Sequence, residues 1–113
     1  MTTIYHNPRC SKSRQTLAIV EESTKEVNII KYLDTPPTIE ELSEIISLLG
    51  IKPIELIRKN EAIWKENFKG NEYSDQELIE IMSQHPKLIE RPIVINNNKA
   101  VIGRPPENVK NIL

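Results

Sequence analysis

Cysteine is almost absent from this chain. Cys10 stands alone, which excludes an internal disulfide framework. Glycine is nearly as scarce, and its three residues form none of the Gly-rich loops that cradle phosphates. Neither sign of charge is in surplus: 15 basic against 16 acidic residues leave a net of −1. Nucleic-acid binders need a basic excess on one face, so nucleic acid is not an expected partner. No apolar run approaches the length that spans a bilayer. The opening Met-Thr-Thr-Ile-Tyr-His lacks the basic and then apolar pattern of a signal peptide. The expected location is therefore cytoplasmic, away from membranes. His85 has no metal-ligand spacing to His6 or Cys10, so no metal site is expected.

What is present fits one compact domain over residues 1–113, with an apolar fraction of 38% that allows a modest core. There is no repeat, no low-complexity segment and no linker. Thr2 to His6 reads as a strand, Asn7-Pro8-Arg9 as a turn, and the chain from Cys10 or Ser11 to about Glu22 as a helix with Leu17 and Val20 on one face. A second strand covers roughly Val27 to Ile30. Thr38 with Glu41, and Ser74 with Glu77, are capping boxes that open helices. Leu42, Ile45, Ile46 and Leu49 follow the first as one apolar stripe ended by Gly50; Leu78, Ile81 and Met82 follow the second. Pro53 opens a short helix through Ile57, and His85-Pro86 closes the later one. Residues 59 to 77 read as a solvated helical face, with Trp64, Phe68 and Tyr73 as packing residues. Ile93-Val94-Ile95, Asn96-Asn97-Asn98 and Ala100-Val101-Ile102 make a hairpin signal. Pro105-Pro106-Glu107 starts a last helix with Val109, Ile112 and Leu113 turned inward. The order is β-α-β, a helical insertion, then β-β-α: an α/β fold with a mixed sheet flanked by helices. No long apolar face is left over, so a monomer is the expectation.

The chemistry centres on Cys10. It follows a strand and a proline turn and precedes a helix, whose first N–H groups and partial positive charge favour thiolate over thiol. Such placement lowers a thiol pKa from about 8.5 into the range of roughly 3.5–7.5. His6, Arg9, Lys12 and Arg14 are its cationic neighbours in sequence. Ser13 stands where a Cys-x-x-Cys motif would have its second cysteine. Its hydroxyl can donate to a thiolate but cannot resolve a disulfide, so any reductant must come from outside the chain. Arg58, Arg91 and Arg104 stand out by context, the last two each preceding a proline. Arginine holds oxyanions bidentately and keeps its charge, so three of them beside a thiolate would bind a small, doubly charged oxyanion.

Five blocks occur in order: His6-Asn7-Pro8-Arg9-Cys10-Ser11-Lys12-Ser13-Arg14; Tyr32-Leu33 with Pro36-Pro37; Leu56-Ile57-Arg58-Lys59-Asn60; His85-Pro86 with Leu88 through Val94; and Gly103-Arg104-Pro105. Together they resemble the glutaredoxin-dependent arsenate reductase family, from Thr3 to the C-terminus. The resemblance implies a thioredoxin-like fold with a helical insertion. It implies Cys10 as the catalytic nucleophile that attacks arsenic, and Arg58, Arg91 and Arg104 as substrate-binding groups that also lower the thiol pKa. His6 would support the thiolate, Arg14 would end the family's Cys-x-x-x-Arg segment, and Pro92 would be the cis-proline that faces the cysteine. Arsenate would be substrate, glutathione co-substrate and glutaredoxin protein partner, with no tightly bound cofactor. Arg9 departs from the family, where many members carry a small residue, and longer members continue past Leu113 with a charged tail. Two alternatives share the scaffold. One is a thiol reductase with another substrate. The other is an Spx-like regulator that binds RNA polymerase, although Ser13 removes the Cys-x-x-Cys switch such regulators usually carry.

Overall fold

The computed structural model describes every residue from Met1 to Leu113. The chain forms two compact units, one from Met1–Thr35 with Arg91–Leu113, the other from Pro36–Glu90.

The first unit is built on a four-stranded sheet. Its strands are β1 (Thr2–His6), β2 (Val27–Lys31), β3 (Ile93–Asn96) and β4 (Lys99–Ile102), in the order β2-β1-β3-β4. β1 and β2, joined through helix α1 (Ser11–Ser23), run parallel. β3 lies antiparallel to β1, with Ile4 opposite Val94, and β4 closes the hairpin with Val101 opposite Val94. The hairpin turns on Asn97 and Asn98, whose φ values of 54° and 60° are the pair of positive angles a two-residue turn of this twist needs. Asparagine tolerates that region better than any other side-chain-bearing residue here would. Period-2 alternation sends Ile4 and Val94 to the face where Val20 of α1 waits, together with Val109 and Ile112. Those last two come from a 3-10 helix over Pro106–Asn111 and its capping residue, Ile112, so the expected final helix is tighter than an α-helix.

The second unit is helical. Helix α2 (Ile39–Leu49) opens on a complete Thr38–Glu41 capping box and ends at Gly50, which is left-handed at φ 68°. Helix α4 (Asp75–Gln84) opens on a complete Ser74–Glu77 box. The two helices pack on each other and bury Leu42, Ile45, Ile46, Leu78, Ile81 and Met82, the stripes that the periodicity predicted except for Leu49, which is only half-buried. Pro53–Leu56 and Pro86–Leu88 are short 3-10 turns that also touch α4. The Arg58 N–H donates to the Leu88 carbonyl at 2.7 Å and the Glu90 N–H to the Leu56 carbonyl at 2.8 Å, which ties those turns together.

One reading needs correction. Residues 59 to 77 are not one solvated helical face: Ala62–Asn67 is a short helix (α3), α4 begins only at Asp75, and Trp64 is buried. Its ring stacks on Phe68 at 5.7 Å between centroids, and Tyr73 meets both rings. Charge dominates this stretch by count, but a few aromatic contacts decide its shape, because each buries far more apolar area than a charged neighbour.

Candidate active site

The turn after β1 sets the nucleophile. The Asn7 side chain accepts from the Arg9 N–H at 3.0 Å and the Asn7 carbonyl from the Cys10 N–H at 3.0 Å, so the chain reverses within four residues. From outside, the exposed Arg14 donates to the Pro8 carbonyl at 2.9 Å. Cys10 thereby becomes the N-cap of α1, in extended backbone conformation, and its side chain is buried.

Five influences act on that thiol. Burial comes first and pushes its pKa up, because a charged sulfur loses solvation. Against it stand the Ser13 N–H, the Arg91 guanidinium, the Lys12 N–H and the Arg104 guanidinium, and together they hold the thiol below its ordinary value. Arg104 Nη2 lies 4.0 Å from Cys10 Sγ. Arg104 Nε donates to the Arg91 carbonyl at 3.0 Å, which joins the two arginine-bearing segments. Nε and Nη1 of Arg91 are shielded from solvent. Pro92 follows directly, buried, with a cis peptide bond to Arg91.

Ser13 is fully buried, but its hydroxyl does not serve the sulfur as the sequence led us to expect. It lies 2.7 Å from His6 Nδ1 and accepts from the Asn7 N–H at 3.0 Å. A hydroxyl that donates to a neutral imidazole and accepts from that N–H satisfies all three groups. The Ser13 contribution to Cys10 is its backbone N–H. His6 accordingly touches Ser13, on the sheet face that also carries Ile4 toward α1. Burial, then Lys31 and Arg14, press its pKa below the usual histidine value, with Glu21 opposing. A neutral ring suits that position. The local charges are also rearranged relative to expectation. The cations that act on the thiol are Arg91 and Arg104, not the sequence neighbours Arg9, Lys12 and Arg14, whose side chains are exposed.

Arg58 belongs to the second unit. There its Nη1 pairs with Glu61 at 3.0 Å and its Nε with Glu90 at 3.7 Å. The first unit therefore brings together Cys10, Ser13, His6, Arg91, Pro92 and Arg104, with Arg14 bracing the turn. The Asn7-Pro8-Arg9 turn was legible in the sequence, but not the two hydrogen bonds to Asn7 that organise it. Sequence reading also missed Thr16, a fully buried threonine in α1 that no local pattern distinguishes. No cluster of three metal-ligating side chains occurs, and no helix is long and apolar enough to cross a membrane.

Known proteins match this arrangement over almost its whole length. Residues 5–112 match the ArsC family. The uncharacterized protein YfgD of Escherichia coli is 46% identical over 112 residues, which is 97% of this chain and 94% of that protein. The arsenate reductase of Haemophilus influenzae is 46% identical over 112 residues, 97% of either chain. The solved structure of an arsenate reductase from Vibrio cholerae superposes with a TM-score of 0.93 at 47% identity, covering 99% of this chain and 97% of that one. The mixed sheet of the first unit is thus the thioredoxin-like sheet of those structures.

Proposed function

This chain belongs to the ArsC family, and from that premise we propose that it is an arsenate reductase in which the Cys10 thiolate attacks the oxyanion. The observation that carries the reading is a buried thiol at a helix N-cap with Arg104 Nη2 at 4.0 Å, held below its ordinary pKa by that helix and two guanidinium groups. A thiolate is the reactive form of cysteine, and a lowered pKa keeps it populated at neutral pH. The arginines oppose the charge of an incoming dianion and meet it with planar donors.

The proposed step forms an S–As bond and expels one arsenate oxygen as water, after protonation. Arsenic is still pentavalent in that adduct, and two electrons are required. Cys10 has no partner cysteine in the chain, so two external thiols must supply them and end as a disulfide. Glutathione attacks arsenic in the adduct and displaces a second oxygen as water. The glutaredoxin thiolate then attacks the glutathione sulfur, which forms a mixed disulfide and leaves the bonding pair on arsenic as As(III). Water finally hydrolyses the remaining S–As bond, freeing arsenite and the Cys10 thiol. Ser13, His6 and Arg14 hold the turn and the first turn of α1 in place. Cytoplasmic glutathione fits the requirement for an outside reductant.

The test is arsenite release from arsenate with glutathione and glutaredoxin supplied. Wild type is expected to turn over, and Cys10→Ser to give none while keeping its circular dichroism. Absence of arsenite from folded wild type, with reduction of a glutathione mixed disulfide instead, would transfer the assignment to a thiol reductase of another substrate.

A further inference from the structure

Two of the three glycines have positive φ, Gly50 at 68° and Gly70 at 89°, and nothing within 4 Å of where a Cβ would stand. Gly103 is the reverse. It needs no unusual backbone angle, but a Cβ there would lie 2.6 Å from Thr16 Oγ1, 2.9 Å from Thr16 Cγ2 and 2.9 Å from Pro92 Cγ. Side-chain carbons do not approach other atoms that closely, so this glycine is required by space.

What surrounds it explains why space is scarce. Thr16 is fully buried in the second turn of α1. Its hydroxyl bonds back to the Lys12 carbonyl at 2.8 Å and also faces the Gly103 carbonyl at 3.4 Å. The Gly103 N–H donates to the Pro92 carbonyl at 2.9 Å. Gly103 is therefore clasped between the helix that carries Cys10 at its N-cap and the segment that carries Arg91. The next residue is Arg104, which reaches both the Arg91 carbonyl and the Cys10 sulfur. Displacing Gly103 displaces Arg104 with it.

We propose that Thr16 and Gly103 are positioning residues: the close packing of the Thr16 side chain on the bare Gly103 backbone sets how closely Arg104 can approach the Cys10 sulfur. The inference rests on the reading of Cys10 as nucleophile, but its readout does not depend on arsenate. A methyl group on residue 103 must push α1 and the Arg104 segment apart, because Thr16 is packed and Pro92 is rigid. The arginine then acts on the sulfur from farther away, and Coulomb attraction falls with distance.

The experiment is the pH dependence of Cys10 alkylation by iodoacetamide in wild type, Gly103→Ala and the double variant Thr16→Ala with Gly103→Ala. Gly103→Ala is expected to keep its circular dichroism and move the midpoint upward, so that alkylation below the midpoint slows severalfold. The double variant removes both Thr16 atoms that the new methyl meets and leaves the Pro92 contact, so it is expected to recover part of that loss. A folded Gly103→Ala that reacts like wild type would overturn the inference, as would a double variant no faster than the single one. If Gly103→Ala does not fold, the double variant decides: folded and reactive supports the contact, whereas unfolded or unreactive refutes it. Failure here, with arsenite release by wild type intact, leaves the proposed function standing. A wild type that fails to release arsenite while the variants behave as expected does the opposite.

Discussion

Arg104 has two duties, and they can be separated. One guanidinium nitrogen is fixed on the Arg91 carbonyl while another addresses the thiol. Arg104→Ala removes both. A charge-assisted contact of this kind contributes roughly 1.5 kcal/mol at its weaker limit, the relevant end because Arg104 is largely exposed and solvent screens it. The expected result is about a tenfold loss of kcat/KM for arsenate. Arg104→Lys keeps the charge and loses the planar fork, so it should fall between wild type and Ala; a lysine variant no better than Ala would show that geometry matters more than charge. At this scale the sequence was informative where the chemistry is local. Cys10 at a strand-to-helix turn stands out on inspection, and the structure makes it an N-cap. The source of its activating charge was not local: Arg104 lies 94 positions away, while Arg9 and Lys12, next door, point elsewhere. Ser13 shows the same limit. Its type announced a hydroxyl near the sulfur, but only the folded turn reveals that His6 and Asn7 claim that hydroxyl.

Elements whose signals are contained within a few residues came through from sequence best. Both capping boxes form with both of their hydrogen bonds; at the first, the Glu41 N–H donates to Thr38 Oγ1 at 3.1 Å and the Thr38 N–H to Glu41 Oε1 at 2.9 Å. Removing the Thr38 hydroxyl leaves orphan donors at the start of α2. Thr38→Ala should therefore cost about 1 kcal/mol, read as a lower urea midpoint, while Thr38→Ser should cost much less. An unchanged midpoint in Thr38→Ala would mean that water satisfies those donors equally well. The hairpin was legible for a similar reason, since three asparagines between β-branched runs admit few other solutions. The stretch around Trp64 was not, because its shape depends on aromatic rings meeting across residues 64 to 85, including Phe68 against His85 at 5.5 Å. Its charges, the visible feature, contribute little. The final helix was found, but its 3-10 character follows from packing against α1 and β4, which composition does not encode.

Over the whole molecule, the site adds a pH dependence to stability. Cys10 has a folded pKa below its ordinary value, so across the interval between the two the unfolded chain holds more protons and stability rises with pH. The thiolate contribution is complete above about 8.5, the unfolded value, and it is lost as pH falls through the folded one. His6 acts lower on the scale. Its folded pKa is also depressed, so acidification below about 6.5 protonates the unfolded chain first and weakens the fold. Urea midpoints of wild type and Cys10→Ser, measured from neutral pH to above 8.5, should diverge progressively in favour of wild type. A difference that does not change with pH would mean that the folded thiol titrates as it does in the unfolded chain.

An arsenate reductase of this kind requires an activated thiol beside an oxyanion site. The direct measurement is the ultraviolet thiolate titration of the single cysteine, performed with and without arsenate and without glutathione. The prediction is a midpoint below about 8.5 in free protein, and a thiolate signal that falls when arsenate is added, as the oxyanion competes for the arginines and the sulfur bonds to arsenic. A midpoint at the ordinary thiol value, unmoved by arsenate, would contradict it.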